Sequence, residues 1–456
     1  YSSGEKGLMA LKFLFKTLIP KPAIACYHLA LSLIADRWYG HPSGKMTVIG
    51  VTGTKGKSTT CFFIAKMLEE AEFRVGMTST AMFKIAEREW LNPDKMTMRG
   101  RFALHGLLHQ MVKAGCRYSV VETSSEGVAQ YRHAGIEYDV AAFTNIAPEH
   151  IETHGSFEKY LEAKTKLFSG LKKQTSGDLK NKKVIVVNGD DAQAECFSVF
   201  PADVYYRYGG GTFQKSSSSV NFHDLQAKDI QSGAEGSSFR VGETLFQLHL
   251  LGAFNIPNAL AAIAVALSQG IDLEICRRAL DKIRVMPGRM ESIEEGQDFR
   301  VIVDYAHNPS SFEALYETLS RIPHGRVFHV FGATGGGRDK LKRPEMGRIA
   351  AEHADVVVVT TDDPYRDNPQ KLAEEVWEGI AECKVKSVKC KVKLEDSTII
   401  LDRKEAIVEA VRQARTGDIL LITGKGCEQK MAIGDRMIPW DDREVVRDVL
   451  RARKTT

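Results

Sequence analysis

The sequence predicts an α/β protein: a central phosphate-loop domain with a mostly parallel sheet, followed by a smaller Rossmann-like α/β C-terminal domain. Three observations predict it. Apolar strand-like runs alternate with helical periods from residue 46 onward, the pattern of a parallel sheet covered by helices on both faces. Residues 50–60 read GVTGTKGKSTT directly after the apolar run 46–49, a strand feeding a glycine-rich turn that opens a helix. The alternation restarts after Pro287-Gly288, which divides the chain into segments 1–45, 46–286 and 287–456.

In the central segment, strands are expected at 74–77, 118–122, 140–145 and 183–188, and helices at 58–71, 102–114, 156–168 and 192–200. Residues 203–250, with Gly209-Gly210-Gly211 and a serine run at 216–219, read as a small antiparallel extension with loose hairpins. Two helices follow, at 255–269 and 273–283. The last segment predicts strands at 300–304, 326–331, 356–360 and 419–423, with helices at 310–319, 344–352, 369–381 and 403–415. Residues 8–35 are apolar but broken by Lys12, Lys16, Pro20 and Lys21. They read either as a helix packed on the nucleotide domain or as an amphipathic membrane-surface segment. The opening Tyr1-Ser2-Ser3-Gly4, which lacks a starting Met, is expected to be a remnant outside the fold.

A triphosphate needs what residues 53–59 offer. Gly53, Thr54, Lys55 and Gly56 let backbone N–H groups close around phosphate oxygens at a helix N-terminus. Lys57 supplies a mobile charge, and the hydroxyl of Ser58 or Thr59 can hold Mg²⁺. Strict phosphate-loop spacing would place glycine five residues before Gly56, where this chain has Val51. A net charge of +4 from 62 basic and 58 acidic residues argues for no nucleic acid or other polyanion. Eight scattered cysteines without a CxxC pair read as reduced thiols.

Polar clusters sit where parallel strands should end, the side on which such sheets bind ligands. They are Glu122-Thr123-Ser124-Ser125, the stretch from Asn145 to His154, Asp304-Tyr305-Ala306-His307-Asn308-Pro309, GATGGGRDK at 332–340, and Gly424-Lys425-Gly426-Cys427-Glu428. Glu122 is placed to hold Mg²⁺ on the phosphates. By spacing alone, His150 is as readily a structural histidine as a ligand, and Lys164 a solvated lysine on an amphipathic helix.

Together these segments resemble the Mur ligases, ATP-dependent amide-forming enzymes of peptidoglycan precursor synthesis, and within them the branch that adds the third stem-peptide residue. ETSSEGVAQYR (122–132), FTNIAPEHIETHGSFEKYLEAKTKLF (143–168) and GAFNIPNALAA (252–262) resemble the central motifs. GRME (288–291), DYAHNP (304–309), GGGRDKLKRPEMG (335–347) and GKGCE (424–428) resemble the C-terminal ones. The resemblance implies an acyl phosphate made from a substrate carboxylate and ATP, then attacked by an amine. It implies Lys57 on the β/γ-phosphates, Ser58 and Glu122 on one Mg²⁺, and His150 on a second. It implies that Lys164 is the lysine that CO₂ carbamylates. Asn255, Asn258, Arg289, Asp304 and His307 would complete the nucleotide site. Thr97, Ser124, Ser125 and Arg132 would hold a muramoyl-L-Ala-D-Glu-type acceptor, Arg132 by guanidinium–carboxylate pairing.

Two departures shape the expectation. Residues 1–45 are shorter than the family's usual UDP-binding N-terminal domain, so UDP is expected to be recognised weakly or not at all, and the acceptor to be lipid-linked or reduced to its peptide and sugar part. Enzymes of this type that add diaminopimelate carry Asp-Asn-Pro-Arg where this chain has Asp362-Asp363-Pro364-Tyr365, with Arg366 one place later. Gly424 and Glu428 match the positions that read the far end of diaminopimelate. The incoming residue is therefore diaminopimelate or lysine. A folylpolyglutamate- or cyanophycin-synthetase-like ligase and an ATP-binding subunit of a membrane-associated amidotransferase are the rival readings. The expected protein is a cytoplasmic monomer, with peripheral membrane contact through residues 8–35.

Overall fold

The computed structural model describes residues 20–149, 154–171, 182–213, 220–337, 340–386 and 389–455. Helix α1 (Lys21–Trp38) leads through a short 3₁₀ turn into β1 (Thr47–Thr52) and α2 (Lys57–Glu70). Then come β2 (Val75–Thr78), β3 (Met82–Ile85), β4 (Arg88–Leu91), α3 (Arg101–Lys113), β5 (Tyr118–Glu122), α4 (Ser125–Ala129), β6 (Val140–Phe143) and α5 (Phe157–Ser169). The first unit continues with β7 (Val184–Asn188), α6 (Ala194–Ser198), β8 (Val204–Gly209), β9 (Phe222–Gln226), β10 (Lys228–Gly233), β11 (Gly236–Val241), β12 (Thr244–Leu248), α7 (Asn255–Ser268) and α8 (Leu273–Asp281).

Its sheet has nine strands in the order β4-β3-β2-β5-β1-β6-β7-β8-β9, parallel except for β3 and β4 at one edge. Successive strand residues alternate between its two faces. Ile49, Val51, Val120 and Val186 pack beneath α2 and α7. Val48, Val121, Ile185 and Val187 pack against α3, α5 and Phe197 of α6. The strongly apolar α7, with a run of buried alanines, lies close on the sheet because small side chains allow it.

The prediction for 203–250 needs correction. Strands β10 to β12 do form a three-stranded antiparallel sheet. Strands β8 and β9, however, extend the main sheet in parallel, β8 on β7 and β9 on β8. The reversing element between β7 and β8 is only the five-residue α6, shorter than the helix expected at 192–200.

The second unit comprises β13 (Glu291–Ile293), β14 (Arg300–Asp304), α9 (Pro309–Ser320), β15 (Val327–Ala333), α10 (Lys342–His353), β16 (Val356–Thr361), α11 (Pro369–Lys386), β17 (Thr398–Ile399), α12 (Arg403–Gln413), β18 (Ile419–Thr423), β19 (Lys430–Ile433), β20 (Arg436–Pro439) and α13 (Asp442–Thr455). Its six-stranded sheet runs β13-β14-β18-β15-β16-β17, parallel but for β13. One face packs on α9, α10 and α11, the other on α12 and α13.

Helix α1 packs on the first unit through buried Ser32, Ala35 and Asp36, and Arg101 Nε donates to His28 O at 3.0 Å. Tyr27, Leu33, Ile34 and Trp38 point outward and are exposed. No described helix is long and apolar enough to cross a membrane.

Candidate active site

Strand β1 leaves the sheet into a loop that only glycine permits at two places. Gly53 has φ 151° and Gly56 φ 79°. A Cβ on Gly53 would lie 1.9 Å from Thr144 Oγ1, and one on Gly56 2.0 Å from Asn258 Oδ1. The loop is braced from β6 onward. Thr54 N donates to Asn145 O (2.7 Å), Lys55 N to Asn145 Oδ1 (2.9 Å), and Thr144 Oγ1 to Lys55 O (2.7 Å). Thr54 Oγ1 pairs with Tyr160 OH at 3.0 Å. Helix α2 starts at Lys57, so its unpaired N–H groups face the loop, with Ser58 and Thr59 buried in the first turn. Lys57 Nζ donates to Thr54 O at 2.9 Å. Buried Asn255 and Asn258 open α7, and Asn258 Nδ2 reaches Asn255 Oδ1 at 3.3 Å, which leaves the Asn258 carbonyl against Gly56.

Glu122 ends β5, beside β1, and is buried. Its Oε2 accepts from Ser58 Oγ (2.7 Å) and Thr80 N (2.7 Å), and its Oε1 from Thr80 Oγ1 (2.9 Å). Thr80 Oγ1, its one proton given to Glu122, accepts in turn from Thr97 Oγ1 at 2.8 Å. One hydrogen-bonded chain thus joins the phosphate loop to Thr97. Sequence reasoning missed Thr80, although Ser79-Thr80 follows β2 at the same sheet end that flagged Glu122. Among the described residues no three His, Cys, Asp or Glu side chains converge on a metal position. The hydroxyl and carboxylate oxygens of Ser58, Thr80 and Glu122 fit a hard ion that shares its coordination with phosphate and water, as Mg²⁺ does. His150, the proposed second ligand, lies outside the described residues.

Lys164, on α5, is fully buried, which corrects the solvated reading. Its Nζ donates to Gly53 O at 2.6 Å and stands 4.4 Å over the Tyr160 ring. Burial, with the Lys57 charge adding to it, holds this ammonium well below the ordinary lysine range against the pull of Glu149 and Glu122. Glu149 is shifted upward by burial, opposed by Lys55 and Lys57. Its Oε1 accepts no hydrogen bond from the described residues, nor does Arg132 Nε or Arg289 Nε donate one. Buried polar atoms without a protein partner are where a ligand or water completes the bonding.

The second unit closes over the loop. Lys55 Nζ donates to Ser310 Oγ at 2.5 Å, and Arg289 Nη2 reaches Ser58 Oγ at 3.5 Å while its guanidinium covers the Tyr305 ring at 4.5 Å. Asp304 is raised by burial and moderated by Arg289. It accepts from Met290 N and Ala306 N at 2.7 Å each, so it fixes the backbone that presents Arg289 and His307. His307 Nδ1 lies 2.9 Å from Tyr305 O.

The residues expected to hold the acceptor follow Glu122 in the chain or lie on the neighbouring loop. Ser124 caps α4 by accepting from Gly127 N at 3.2 Å, and Ser125 Oγ meets His154 Nε2 at 3.2 Å. Arg132 binds Met98 O and Gln130 Oε1. Arg101, not foreseen, donates to Gln130 O at 2.5 Å and shares this corner with Arg132.

The third group lies in the second unit. Lys425 Nζ, fully buried, donates to Asp363 (3.0 Å) and Glu428 Oε2 (2.6 Å), and lies 3.8 Å from Asp362 Oδ1. Gly424 adopts φ 111°, and a Cβ there would sit 2.9 Å from Asp362 Oδ2. Lys95, from the first unit, pairs with Asp363 and with Glu428 Oε2 at 2.9 Å. Arg366 does not join them. It forms a bidentate pair with exposed Asp435 (2.6 and 2.9 Å), because the β19–β20 turn brings that carboxylate alongside.

Known proteins resemble this chain across both units. The Mur ligase middle-domain profile matches residues 51–266, and the Mur ligase glutamate-ligase-domain profile matches residues 288–426. UDP-N-acetylmuramyl-tripeptide synthetase of Roseiflexus sp. (strain RS-1) is 37% identical over 95% of this chain and 84% of its own length. The UDP-N-acetylmuramoyl-L-alanyl-D-glutamate–2,6-diaminopimelate ligase of Geobacillus kaustophilus is 34% identical over 95% and 85%. A solved structure of a ligase with that same description superposes with a TM-score of 0.57 at 30% identity, over 90% of this chain and 79% of its own. At 17% identity, Mycobacterium tuberculosis folylpolyglutamate synthase shares the fold, with a TM-score of 0.65 over 93% and 95% of the two chains. With sequence kinship across both units and the phosphate loop, Glu122 and Lys164 assembled at one cleft, this chain belongs to the Mur ligase family of ATP-dependent amide-forming enzymes.

Proposed function

We propose that this enzyme joins an amino acid, diaminopimelate or lysine, to a muramoyl-L-Ala-D-Glu-type acceptor. The observation that carries the reading is the chain Ser58–Glu122–Thr80–Thr97, which ties the phosphate loop to the acceptor loop. The acceptor carboxylate takes the γ-phosphoryl group of ATP, ADP leaves, the amine attacks the acyl carbon, and phosphate departs. Lys57 and the α2 N-terminus bind the phosphates, and Arg132 and Ser124 orient the acceptor. Ser58 and Glu122 would hold one Mg²⁺ and His150 would help hold a second, which would supply charge neutralisation at the transferred group. Lys164 is suited to carbamylation because burial favours its neutral amine, the form that reacts with CO₂. Residues 46–286 serve as the ATP domain and 287–456 as the amino-acid domain.

The test is phosphate release from ATP and Mg²⁺ with UDP-N-acetylmuramoyl-L-Ala-D-Glu, adding diaminopimelate, lysine or glutamate in turn. Release dependent on diaminopimelate or lysine supports the reading. Release that requires folate and glutamate instead would replace it.

A second reading concerns location. The exposed Tyr27, Leu33, Ile34 and Trp38 on α1 favour contact with a membrane surface. Co-sedimentation with anionic liposomes that disappears in a Trp38→Ser/Ile34→Ser variant supports it, and absence of co-sedimentation for the parent removes it.

A further inference from the structure

Lys95 sits in the loop between β4 and α3 of the first unit, yet its ammonium lies among carboxylates of the second. It touches Asp363 and, at 2.9 Å, Glu428 Oε2, with 13% of its side chain exposed. The cluster it enters is unbalanced. Asp362, Asp363 and Glu428 converge on a single resident ammonium, Lys425. The neighbouring guanidinium of Arg403 is committed to Asp442 by two bonds of 2.7 Å. Asp362 is buried, and its Oδ1 accepts no hydrogen bond from the described residues. Buried carboxylates in such excess call for a further cation. The only one that reaches them from across the cleft, among the described residues, is carried on a flexible four-carbon stem.

We propose that Lys95 is an internal competitor at the amino-acid site. Its ammonium holds the position on Asp363 and Glu428 that the side-chain ammonium of an incoming diamino acid takes, and it must withdraw for that amino acid to bind. This rests on the ligase reading above and deepens it. The two cations are chemically alike and compete for the same oxygens, so Lys95 withholds part of the affinity of every ammonium-bearing side chain. Tyr305 OH, 3.4 Å from Glu428 Oε1, and Gly424, open beside Asp362, flank the same position.

The experiment is calorimetric titration of lysine, diaminopimelate and norleucine into the full chain with Mg²⁺ and ATP present, comparing the parent with Lys95→Met, Lys95→Gln and Glu428→Gln. Both Lys95 variants are expected to bind lysine and diaminopimelate about fivefold tighter, with norleucine binding unchanged. Glu428→Gln is expected to weaken both diamino acids. Thermal melts of the variants separate these effects from misfolding. Unchanged or weaker lysine binding in Lys95→Met overturns the proposal. So does weakening confined to diaminopimelate, which would make Lys95 the partner of its distal carboxylate, and so does failure of every form to bind a diamino acid. Amino-acid-dependent phosphate release that persists alongside unaltered affinity would count against Lys95 alone, whereas the absence of such release would count against the ligase reading.

Discussion

Ser58 donates its hydroxyl to Glu122 Oε2 at 2.7 Å, so the first turn after the phosphate loop and the end of the neighbouring strand share one oxygen-rich corner. Glu122→Gln preserves the volume and removes the charge. Turnover is expected to fall by about a hundredfold or more, with a rise in the Mg²⁺ needed for half-maximal rate. Phosphate release at varied Mg²⁺ measures both, and an unaltered Mg²⁺ dependence would remove Glu122 from the metal site.

Lys164 predicts opposite effects on stability and activity. Its native ammonium titrates well below the ordinary range while the unfolded lysine keeps its usual affinity for protons, so between the two values the unfolded state binds more protons. Its unfavourable contribution is therefore relieved as pH rises toward the unfolded value. Lys164→Met is expected to melt higher than the parent at pH 7, by a margin that shrinks toward alkaline pH, and to lose turnover. Partial rescue of Lys164→Ala by short carboxylic acids would show that an anion is needed there.

Arg132 has a buried Nε that donates to no described residue, while its other nitrogens are anchored on Met98 O and Gln130. Arg132→Ala is expected to raise KM for the acceptor by about tenfold or more, with a smaller effect on KM for ATP. Arg132→Lys should recover little, since one ammonium does not replace a planar fork. Steady-state kinetics with each substrate varied would decide.

His329 governs acid stability of the second unit. It is fully buried between Tyr316 OH (2.7 Å) and Thr423 Oγ1 (2.9 Å), and burial lowers its pKa to about 3. A group with a depressed native pKa stabilises the fold above its unfolded value and loses that contribution as pH falls through the native one. The loss is expected between about pH 6.5 and pH 3 and amounts to roughly 5 kcal/mol. Urea unfolding at stepped pH tests it, and His329→Gln should flatten the slope in that window.

Much of this architecture was legible because buried parallel strands are short apolar runs between polar ends. The predicted limits of 118–122, 300–304 and 419–423 coincide with β5, β14 and β18. The edge hairpin β3–β4 was not legible, since its outer strand is half exposed and four residues long. Nor was the parallel course of β8 and β9, because direction is set by pairing partners rather than by local periodicity. Site residues at strand ends, such as Glu122, could be found by position. Lys95 could not, for it meets Asp363 across 268 positions of sequence, and no spacing rule reaches that far. Arg366 misled for the same reason, as its partner Asp435 is supplied by a distant turn.

The two units meet over the phosphate loop through Lys55 with Ser310, Ser58 with Arg289, and Lys95 with Glu428. These polar contacts lie beside an apolar seam, in which Leu251 packs into the second core and Cys427 into the first, and of them the Lys95 ion pair is the one that dissolved salt weakens. The consequence is a leak with a dial on it. As ionic strength rises, the Lys95–Glu428 tie is expected to loosen first, so more phosphate should be released for each amide formed.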